Sequence, residues 1–403
     1  MQSEFSVHAI FPNYYDATRV SYSFKSLIET MRGGGVAVHG YVFGRGPGIG
    51  NEVHALLPRT FYKHTSRWVH DPGHAIVARY AHRVRPGDVV HMWLDSPYEA
   101  IVRLQSLGAI VVREMINCTA ERCRRELVAA HAALGWDYVS PVTDATIERE
   151  RGQLLAADAV FCPNDEVVAS VLAYGVPAER CIKTSYGWSA ERLAGTSLAA
   201  PRTGGTQFLF AGTGDVRKGL PWLLQAWVRA GVHGRLLLAG HIDARVRAEY
   251  ANVLARADVV LLGHVADVGS AYRSADVFCF PSWEEGGPMV TIEAMGMGLP
   301  CIVTPMGSAG IFSASSGGAI VVGPGDVEAM AAAMRRLGGH PEERRRLAEE
   351  GRRMASDYVW ERVGLRRAEA LRRLRAERLG AMPPGRPAVP ARLGAVTDPR
   401  SMF

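Results

Sequence analysis

Short apolar runs alternate with segments of helical periodicity along most of the chain. The runs are short enough for strands that are buried on both faces, and the segments between them repeat apolar residues three or four positions apart. This alternation is typical of parallel sheets covered by helices, and it occurs twice. The predicted strands are Phe5–Phe11, Val36–Val42, Val89–Trp93, Ala109–Val112 and Ala159–Cys162, then Gln207–Ala211, Arg235–Ala239, Val259–Leu262, Val277–Phe280, Cys301–Thr304 and Ala319–Val322. The predicted helices are Ser21–Arg32, Pro97–Leu107, Ile147–Ala157, Pro221–Ala230, Val268–Ser274, Thr291–Met297 and Val327–Leu337.

The two series predict an α/β protein with two doubly wound, Rossmann-like domains that face each other across a cleft. We expect the first domain at residues 1–190 and the second at 206–356, joined by a linker at 191–205 that lacks periodicity. A helix over 357–379 follows, and the tail 380–403, rich in Pro, Gly and Ala, is predicted to be disordered. Ligands of such sheets bind beyond the carboxyl ends of the strands, so the loops there are the candidates for chemistry.

Two glutamates, Glu285 and Glu293, have seven residues between them in a Gly-rich segment that joins a predicted strand to a predicted helix. A Gly-rich loop before a helix binds anions, because unpaired N–H groups and the positive end of the helix dipole face the same space. Carboxylates there cannot bind phosphate, but they can accept hydrogen bonds from hydroxyl groups. The segment therefore predicts a ligand with a phosphate and a polyol, such as a nucleotide sugar. The alternative for Glu293 is a glutamate that only complements the helix dipole.

A second Gly-containing loop places Arg217 and Lys218 just before a helix that begins near Gly219 and Pro221. Two cations at this position can neutralise a diphosphate that gains charge as it leaves. Taken alone the pair is weak evidence, since neighbouring cations in a loop are more often solvated.

Together, the segments GTGDVRKGLPWLLQAW and EEGGPMVTIEAMGMGLPCIVTPMGSAG resemble the family 4 glycosyltransferases, which are retaining, nucleotide-sugar-dependent enzymes with the two-domain GT-B fold. The first segment is similar to the family's donor-phosphate loop and the second to its E-x7-E region. The resemblance is good over about 156–360 and loose before that. It implies transfer of a sugar from a nucleotide sugar, expected to be a UDP- or GDP-sugar, to a hydroxyl of a glycan, a lipid-linked saccharide or a small glycoside. No cofactor is implied.

The resemblance also implies roles for individual residues. Arg217 and Lys218 would bind the diphosphate, Glu285 would meet the transferred sugar, and Glu293 would bind the ribose hydroxyls. The further donor-side candidates are residues of the adjoining loops and helix start, namely Gly212, Thr213, Gly214, His264, Val265, Gly286, Gly287, Pro288, Met289 and Val290. Retention needs no protein nucleophile, because the leaving phosphate can take the acceptor's proton on the same face. The chain has no D-x-D sequence and no metal-ligand spacing, so metal-independent catalysis is expected.

The first domain departs from the family at two loops. Segment 11–20 lacks the glycine pair of many members, and segment 113–123 has no histidine where many members carry one. The acceptor-side candidates are polar residues of these loops and of one strand end, namely Asn13, Tyr14, Asp16, Arg19, His91, Asp95, Arg113, Glu114 and Asn117. Each set has a structural alternative, which is an exposed turn for the first loop, a helix cap for the second and a buried structural histidine for His91.

The net charge of +6 is local, because residues 335–403 alone contain 17 Arg and nine Asp or Glu. A nucleic-acid partner is therefore not expected. The arginines of the final helix could form a solvated face around Val363, Leu371 and Leu374, or contact anionic lipid at the membrane surface. No apolar run approaches the roughly 20 residues of a membrane span, and no signal peptide is evident, so a cytoplasmic location is expected.

Two other functions remain open at this point. A nucleotide-sugar epimerase of the same fold would need acid and base residues over the sugar ring, and the missing histidine leaves these roles hard to assign. A catalytically silent binding subunit would have no need of Arg217, Lys218, Glu285 and Glu293 together.

Overall fold

The computed structural model describes residues 5–16, 19–46, 53–58, 69–94, 96–308, 310 and 317–380. These residues form two sheets, in which neighbouring strands pair in parallel. Within this part of the chain, no helix is long and apolar enough to cross a membrane.

The first sheet contains β1 (Ser6–Tyr15), β2 (Ala37–Arg45), β3 (Val53–Leu57), β4 (Val89–Met92), β5 (Ile110–Glu114), β6 (Ala159–Cys162) and β7 (Cys181–Lys183). Their order across the sheet is β3-β2-β1-β4-β5-β6-β7. The helices that connect them are α1 (Arg19–Gly33), α2 (Pro72–Tyr80), α3 (Tyr98–Ser106), α4 (Ala120–Ala133), α5 (Asp144–Ala156) and α6 (Asp165–Ala173). Several of these helices have a side-chain N-cap. At the start of α6, for example, the Asn164 side-chain oxygen accepts the Val167 N–H at 2.8 Å.

The second sheet contains β8 (Thr206–Ala211), β9 (Gly234–Ala239), β10 (Val259–Gly263), β11 (Val277–Phe280), β12 (Cys301–Val303) and β13 (Ala319–Val321), in the order β10-β9-β8-β11-β12-β13. The accompanying helices are α7 (Leu220–Ala230), α8 (Ala244–Glu249), α9 (Ala251–Leu254), α10 (Val268–Arg273), α11 (Met289–Gly296), α12 (Val327–Gly339) and α13 (Pro341–Ala355). Its four central strands and α7 supply about half of a continuous apolar core. The predicted pair of doubly wound domains is confirmed.

Most predicted strands lie within two residues of the observed bounds, and the exceptions have physical reasons. The first strand continues to Tyr15 through a break in register between Phe11 and Tyr14, so the polar segment after Phe11 is strand rather than loop. The short strands β3 and β7 were not predicted, because both lie at sheet edges, where partial exposure weakens the apolar pattern. The helix α4 was missed because Ala130 is its one fully buried residue.

The last helix, α14 (Trp360–Gly380), crosses back from the second domain and packs against the core of the first. Its residues Val363, Leu371 and Leu374 are buried, as the sequence pattern predicts. A Cβ on Gly364 would overlap Thr30 of α1, so the two helices meet at a glycine.

Several arginines of α14 bind the first domain instead of facing solvent. Arg372 donates to the Gly34 carbonyl oxygen, Arg375 to that of Gly87 at 2.9 Å, and Arg378 to that of Asp158 at 2.6 Å. Part of the basic charge of this helix therefore fastens it to the first domain.

A buried ion pair makes the innermost contact of α14. Arg367 donates two hydrogen bonds to the Glu114 carboxylate at 2.7 and 2.9 Å, and both side chains are at most 1% exposed. The same carboxylate accepts from His91 Nε2 at 2.7 Å and from the Tyr186 hydroxyl at 2.9 Å. Burial would raise the pKa of Glu114, but Arg367 and His91 outweigh it and hold that pKa at about 2. Burial lowers the pKa of His91, which favours the neutral ring.

Replacing this arginine tests whether the pair stabilises the domain junction. Arg367→Ala leaves Glu114 buried without its main counterion and should lower the free energy of unfolding by about 3–5 kcal/mol near neutral pH. Because the pKa of Glu114 is lowered from 4.5 to about 2, the contribution is present above pH 4.5 and is lost as the pH falls through about 2. Scanning calorimetry across this range should show that the difference in stability between Arg367→Ala and the wild-type protein becomes smaller as the pH falls.

The matched control is Arg373→Ala on the same helix, where Arg373 forms an exposed pair with Glu369. Equal losses of melting temperature in the two variants would contradict a special role for the buried pair.

Candidate functional site

Two loops meet at the carboxyl edge of the second sheet, because β8 and β11 are neighbouring parallel strands. The loop after β8 carries Arg217, whose carbonyl oxygen accepts the Trp283 N–H at 2.8 Å and lies 2.9 Å from the Ser282 hydroxyl. Gly219 has a φ of +76°, and a Cβ there would overlap the Pro281 carbonyl oxygen. The loops are therefore interlocked, and the glycine is required for their close approach.

Two cations from one loop face two carboxylates from the other. Arg217 Nη1 lies 3.1 Å from Glu284 Oε2 and 3.9 Å from Glu285 Oε1. Lys218 Nζ forms an ion pair with Glu285 Oε1, which is also 3.1 Å from the Ser282 hydroxyl. The carboxylates of Glu284 and Glu285 are buried, whereas the guanidinium of Arg217 is 31% exposed. Each buried negative charge is thus matched by a cation that can still reach a ligand.

Three of these residues, Arg217, Lys218 and Glu285, border a cavity of about 360 Å³ between the domains. The second domain contributes its charged wall through Arg217, Lys218 and Glu285, while the first contributes mostly aromatic and apolar surface. The lining is completed by Ser23, Trp93, Ile116, Asn117, Tyr186, Ala211, Gly212, Phe280, Gly287, Pro288, Met289 and Val290. The cavity therefore has a charged end that suits an anion and an apolar end that suits the hydrocarbon face of a ring.

Lys218 titrates close to neutrality. Burial, together with the charge of Arg217, lowers the pKa of Lys218 to about 7, against the opposing influence of Asp215 and Glu284. A bound anion beside the ammonium would favour its charged form, so anion binding and protonation of Lys218 are coupled.

The Glu285 loop also touches the first domain. Asn164 donates its side-chain amide to the Gly286 carbonyl oxygen, and the Cys118 thiol lies 3.7 Å from the Glu285 carbonyl oxygen. A Cβ on Gly286 would overlap the Ile116 carbonyl oxygen, and one on Gly287 would overlap the Tyr186 ring. Both glycines are therefore places where the domains come into backbone contact.

Glu293 is buried in the second turn of α11, but it does not border this cavity. One of its oxygens pairs with Arg192, from the segment between the domains, and the other accepts the Tyr272 hydroxyl at 2.9 Å. The Arg192 guanidinium also lies 4.7 Å from the centre of the Tyr22 ring in the first domain. Glu293 is thus tied to the domain junction, and its burial excludes a solvated glutamate that only faces the helix dipole.

The other donor-side candidates divide into two groups. Gly212, Gly287, Pro288, Met289 and Val290 line the cavity. Thr213 is exposed, Gly214 is buried with its N–H bonded to the His241 carbonyl oxygen at 2.7 Å, and the exposed His264 and half-buried Val265 follow β10. These four are on the same sheet edge but do not border the cavity. Among the residues that the structure describes, no three His, Cys, Asp or Glu group closely enough to hold a metal ion.

Among the acceptor-side candidates from the first loop, Asn13, Tyr14 and Asp16 do not border the cavity. Asn13 and Tyr14 belong to β1, contrary to the loop expected there, and Asp16 accepts the Ser21 hydroxyl at 2.8 Å. Arg19 is the first residue of α1.

The candidates at the ends of β4 and β5 are placed mainly in the interior. His91 and Glu114 form the buried network with Arg367, so we assign them a structural role instead of contact with an acceptor. The buried Arg113 lies 3.5 Å from the Ser96 hydroxyl and borders a separate cavity of about 340 Å³. Asp95 lies outside the described residues. Asn117 alone of this group lines the charged cavity.

Sequence reasoning missed three residues that shape the site. Glu284 is adjacent to the predicted Glu285, but the motif does not show that Glu284 pairs with Arg217 and Glu285 with Lys218. Arg192 and Tyr272 contact Glu293 from distant parts of the chain, and no local pattern reports such contacts. The sequence signal that could have indicated Glu284 is that two consecutive glutamates occur in one loop and two consecutive cations in the other.

Comparison with known proteins adds a family match to this geometry. Residues 205–339 match the family model described as glycosyl transferases group 1. CapM of Staphylococcus aureus, a capsular polysaccharide biosynthesis glycosyltransferase, is 28% identical over 157 residues, which are 36% of this chain and 41% of CapM. An MMP alpha-(1->4)-mannosyltransferase of Mycolicibacterium hassiacum is 34% identical over 99 residues, which are 24% of each chain. The chain thus matches less than half the length of these relatives.

Solved structures are similar over nearly the whole chain. Sucrose-phosphate synthase from Thermosynechococcus elongatus has a TM-score of 0.70 at 18% identity, covering 93% of this chain and 100% of that one. WaaG, a glycosyltransferase of lipopolysaccharide biosynthesis, has a TM-score of 0.64 at 16% identity, covering 91% and 99%. The chain therefore has the GT-B arrangement of two Rossmann-like domains, and residues 205–339 of the second domain match the glycosyl transferases group 1 model.

Proposed function

We propose that this protein is a retaining glycosyltransferase that moves a sugar from a nucleotide-sugar donor to a hydroxyl of an acceptor. The observation that carries the proposal is the cavity wall in which Arg217 and Lys218 stand opposite Glu285, at the carboxyl edge of a Rossmann-like sheet. The family match over 205–339 includes all three residues. The relatives' names support polysaccharide biosynthesis as the context.

The two cations would bind the donor diphosphate and stabilise the charge that develops as it leaves. Arg217 can offer two N–H groups to phosphate oxygens, while Lys218 supplies a compact charge. No protein nucleophile is needed if a phosphate oxygen takes the acceptor's proton on the face from which the diphosphate departs. In this scheme Arg217 and Lys218 also serve where other enzymes use a metal ion, which makes the proposed reaction metal-independent.

Donor binding would rearrange the carboxylates. Glu285 pairs with Lys218 in the free protein, and the diphosphate would compete for that cation. The released carboxylate could then accept hydrogen bonds from hydroxyls of the transferred sugar. We assign the ribose hydroxyls to Glu293, which requires Arg192 to yield part of its ion pair with that carboxylate.

The acceptor would approach from the first domain, whose wall combines Trp93 and Tyr186 with the polar side chains of Ser23 and Asn117. Aromatic rings suit the C–H face of a sugar, and Asn117 can orient a hydroxyl through its amide. This arrangement supports a sugar-containing acceptor.

Binding of nucleotide ligands tests the proposal first. A thermal-shift panel of UDP-, GDP-, ADP- and dTDP-sugars should identify at least one donor, since a ligand at 100 times its dissociation constant adds about 2.7 kcal/mol of stability. We also expect slow hydrolysis of the donor when no acceptor is present, and Lys218→Ala should abolish this hydrolysis and most of the thermal shift. Lys183→Ala is the control, because Lys183 forms an exposed ion pair with Asp165 at the end of an edge strand. Failure of every nucleotide sugar to shift the wild-type protein would refute the proposal.

The pH dependence of diphosphate binding offers a second test. The free protein has a Lys218 pKa of about 7, and a bound diphosphate should raise it. Affinity should therefore be highest below about pH 7 and decline towards about pH 9, by up to roughly tenfold per unit. Isothermal titration with UDP or GDP, whichever binds, measures the decline. Lys218→Ala should bind weakly, with no pH dependence in this window, and a flat wild-type profile would contradict the coupling.

A further inference from the structure

We propose that Glu284 is a positioning residue that holds Arg217 in place for the leaving diphosphate without touching the ligand itself. The inference rests on the proposed function. It concerns the carboxylate next to Glu285, which lies outside the E-x7-E spacing that Glu285 forms with Glu293.

Two oxygens of Glu284 accept hydrogen bonds from the same nitrogen of Arg217, Nη1. Its carboxylate Oε2 lies 3.1 Å from Arg217 Nη1, and its carbonyl oxygen lies 3.3 Å from the same nitrogen. The Glu284 side chain is fully buried, and it is absent from the cavity lining to which Arg217 belongs. The contact therefore acts from behind the cation and leaves the cavity-facing side of the guanidinium available to a phosphate.

The burial of Glu284 makes this contact difficult to give up. Its second oxygen, Oε1, has no hydrogen-bond partner among the described residues. A buried carboxylate without a counterion is strongly unfavourable. In the described part of the chain, Arg217 is the cation within ion-pair distance of Glu284, so it compensates this charge. Arg217 should consequently stay in place whether or not a ligand is bound.

The loop backbone reinforces this placement. The Ser282 hydroxyl lies 2.9 Å from the Arg217 carbonyl oxygen and 3.1 Å from that of Glu284. The Trp283 N–H also donates to the Arg217 carbonyl oxygen. Arg217 is thus fixed at its backbone and at its guanidinium by the same short segment.

The two adjacent glutamates consequently differ in what a ligand can do to them. Glu285 borders the cavity, so a diphosphate can displace it from Lys218. Glu284 does not border the cavity and cannot be reached in this way. The ion pair of Glu285 can be exchanged for a ligand, whereas the ion pair of Glu284 persists. Substitutions of the two glutamates should therefore have different consequences.

The experiment measures the affinity of the nucleoside diphosphate, among UDP, GDP, ADP and dTDP, that binds the wild-type protein best. Glu284→Gln should weaken binding about tenfold, because Arg217 loses its charged partner. Arg217→Ala should weaken it at least as much, and the double variant should bind no more weakly than Arg217→Ala alone. Glu328→Gln is the control, since Glu328 pairs with Arg229 at the surface.

The pH profile separates positioning from a general structural effect. The negative charge of Glu284 supports the protonated form of Lys218. In Glu284→Gln the midpoint at which affinity declines should therefore move to lower pH. Glu284→Asp keeps the charge but is one methylene shorter, so it should lower the affinity and leave the midpoint unchanged.

Wild-type affinity and an unshifted midpoint in Glu284→Gln, with a clear loss in Arg217→Ala, would overturn the inference and leave the proposed function standing. Losses in Glu284→Gln and Arg217→Ala that simply add in the double variant would also overturn it. If none of the four nucleoside diphosphates binds the wild-type protein, the proposed function fails and the inference fails with it.

Discussion

Buried charge has to be paired, and this requirement governs how the two loops of the site meet. The carboxylates of Glu284 and Glu285 lie in the loop after β11, and each depends on a cation from the loop after β8. Removing either cation would leave a buried charge at a cost well above that of a surface ion pair. The glycines of both loops are placed where a side chain would prevent this pairing, as Gly219 is against Pro281. The chemistry of the site and the packing of its loops are therefore set by the same constraint.

Another buried carboxylate holds the last helix, α14, against the first domain. Glu114 joins the first sheet to this helix through Arg367. Glu293, Arg192 and Tyr22 link the domains at the intervening segment. These contacts position the first-domain wall against the charged wall of the cavity, and they explain why several polar residues at strand ends serve the junction instead of a ligand.

The sequence predicts the doubly wound architecture well, because continuous apolar runs and helical periodicity are local properties of the chain. It also predicts the loops that carry Arg217, Lys218 and Glu285, since Gly and Pro mark where a strand ends and a helix begins. It could not assign Glu114 to the interior, because its partner Arg367 lies 253 residues further along the chain. For the same reason, the division of work between Glu284 and Glu285 becomes visible only once the opposing loop is in place.

The most direct test is a crystal structure with the best-binding nucleoside diphosphate. We expect phosphate oxygens within about 3 Å of Arg217 and Lys218. We also expect Glu285 to be released from Lys218 while Glu284 remains paired with Arg217. A diphosphate bound elsewhere, with the ion pair between Lys218 and Glu285 intact, would contradict the proposed role of this site.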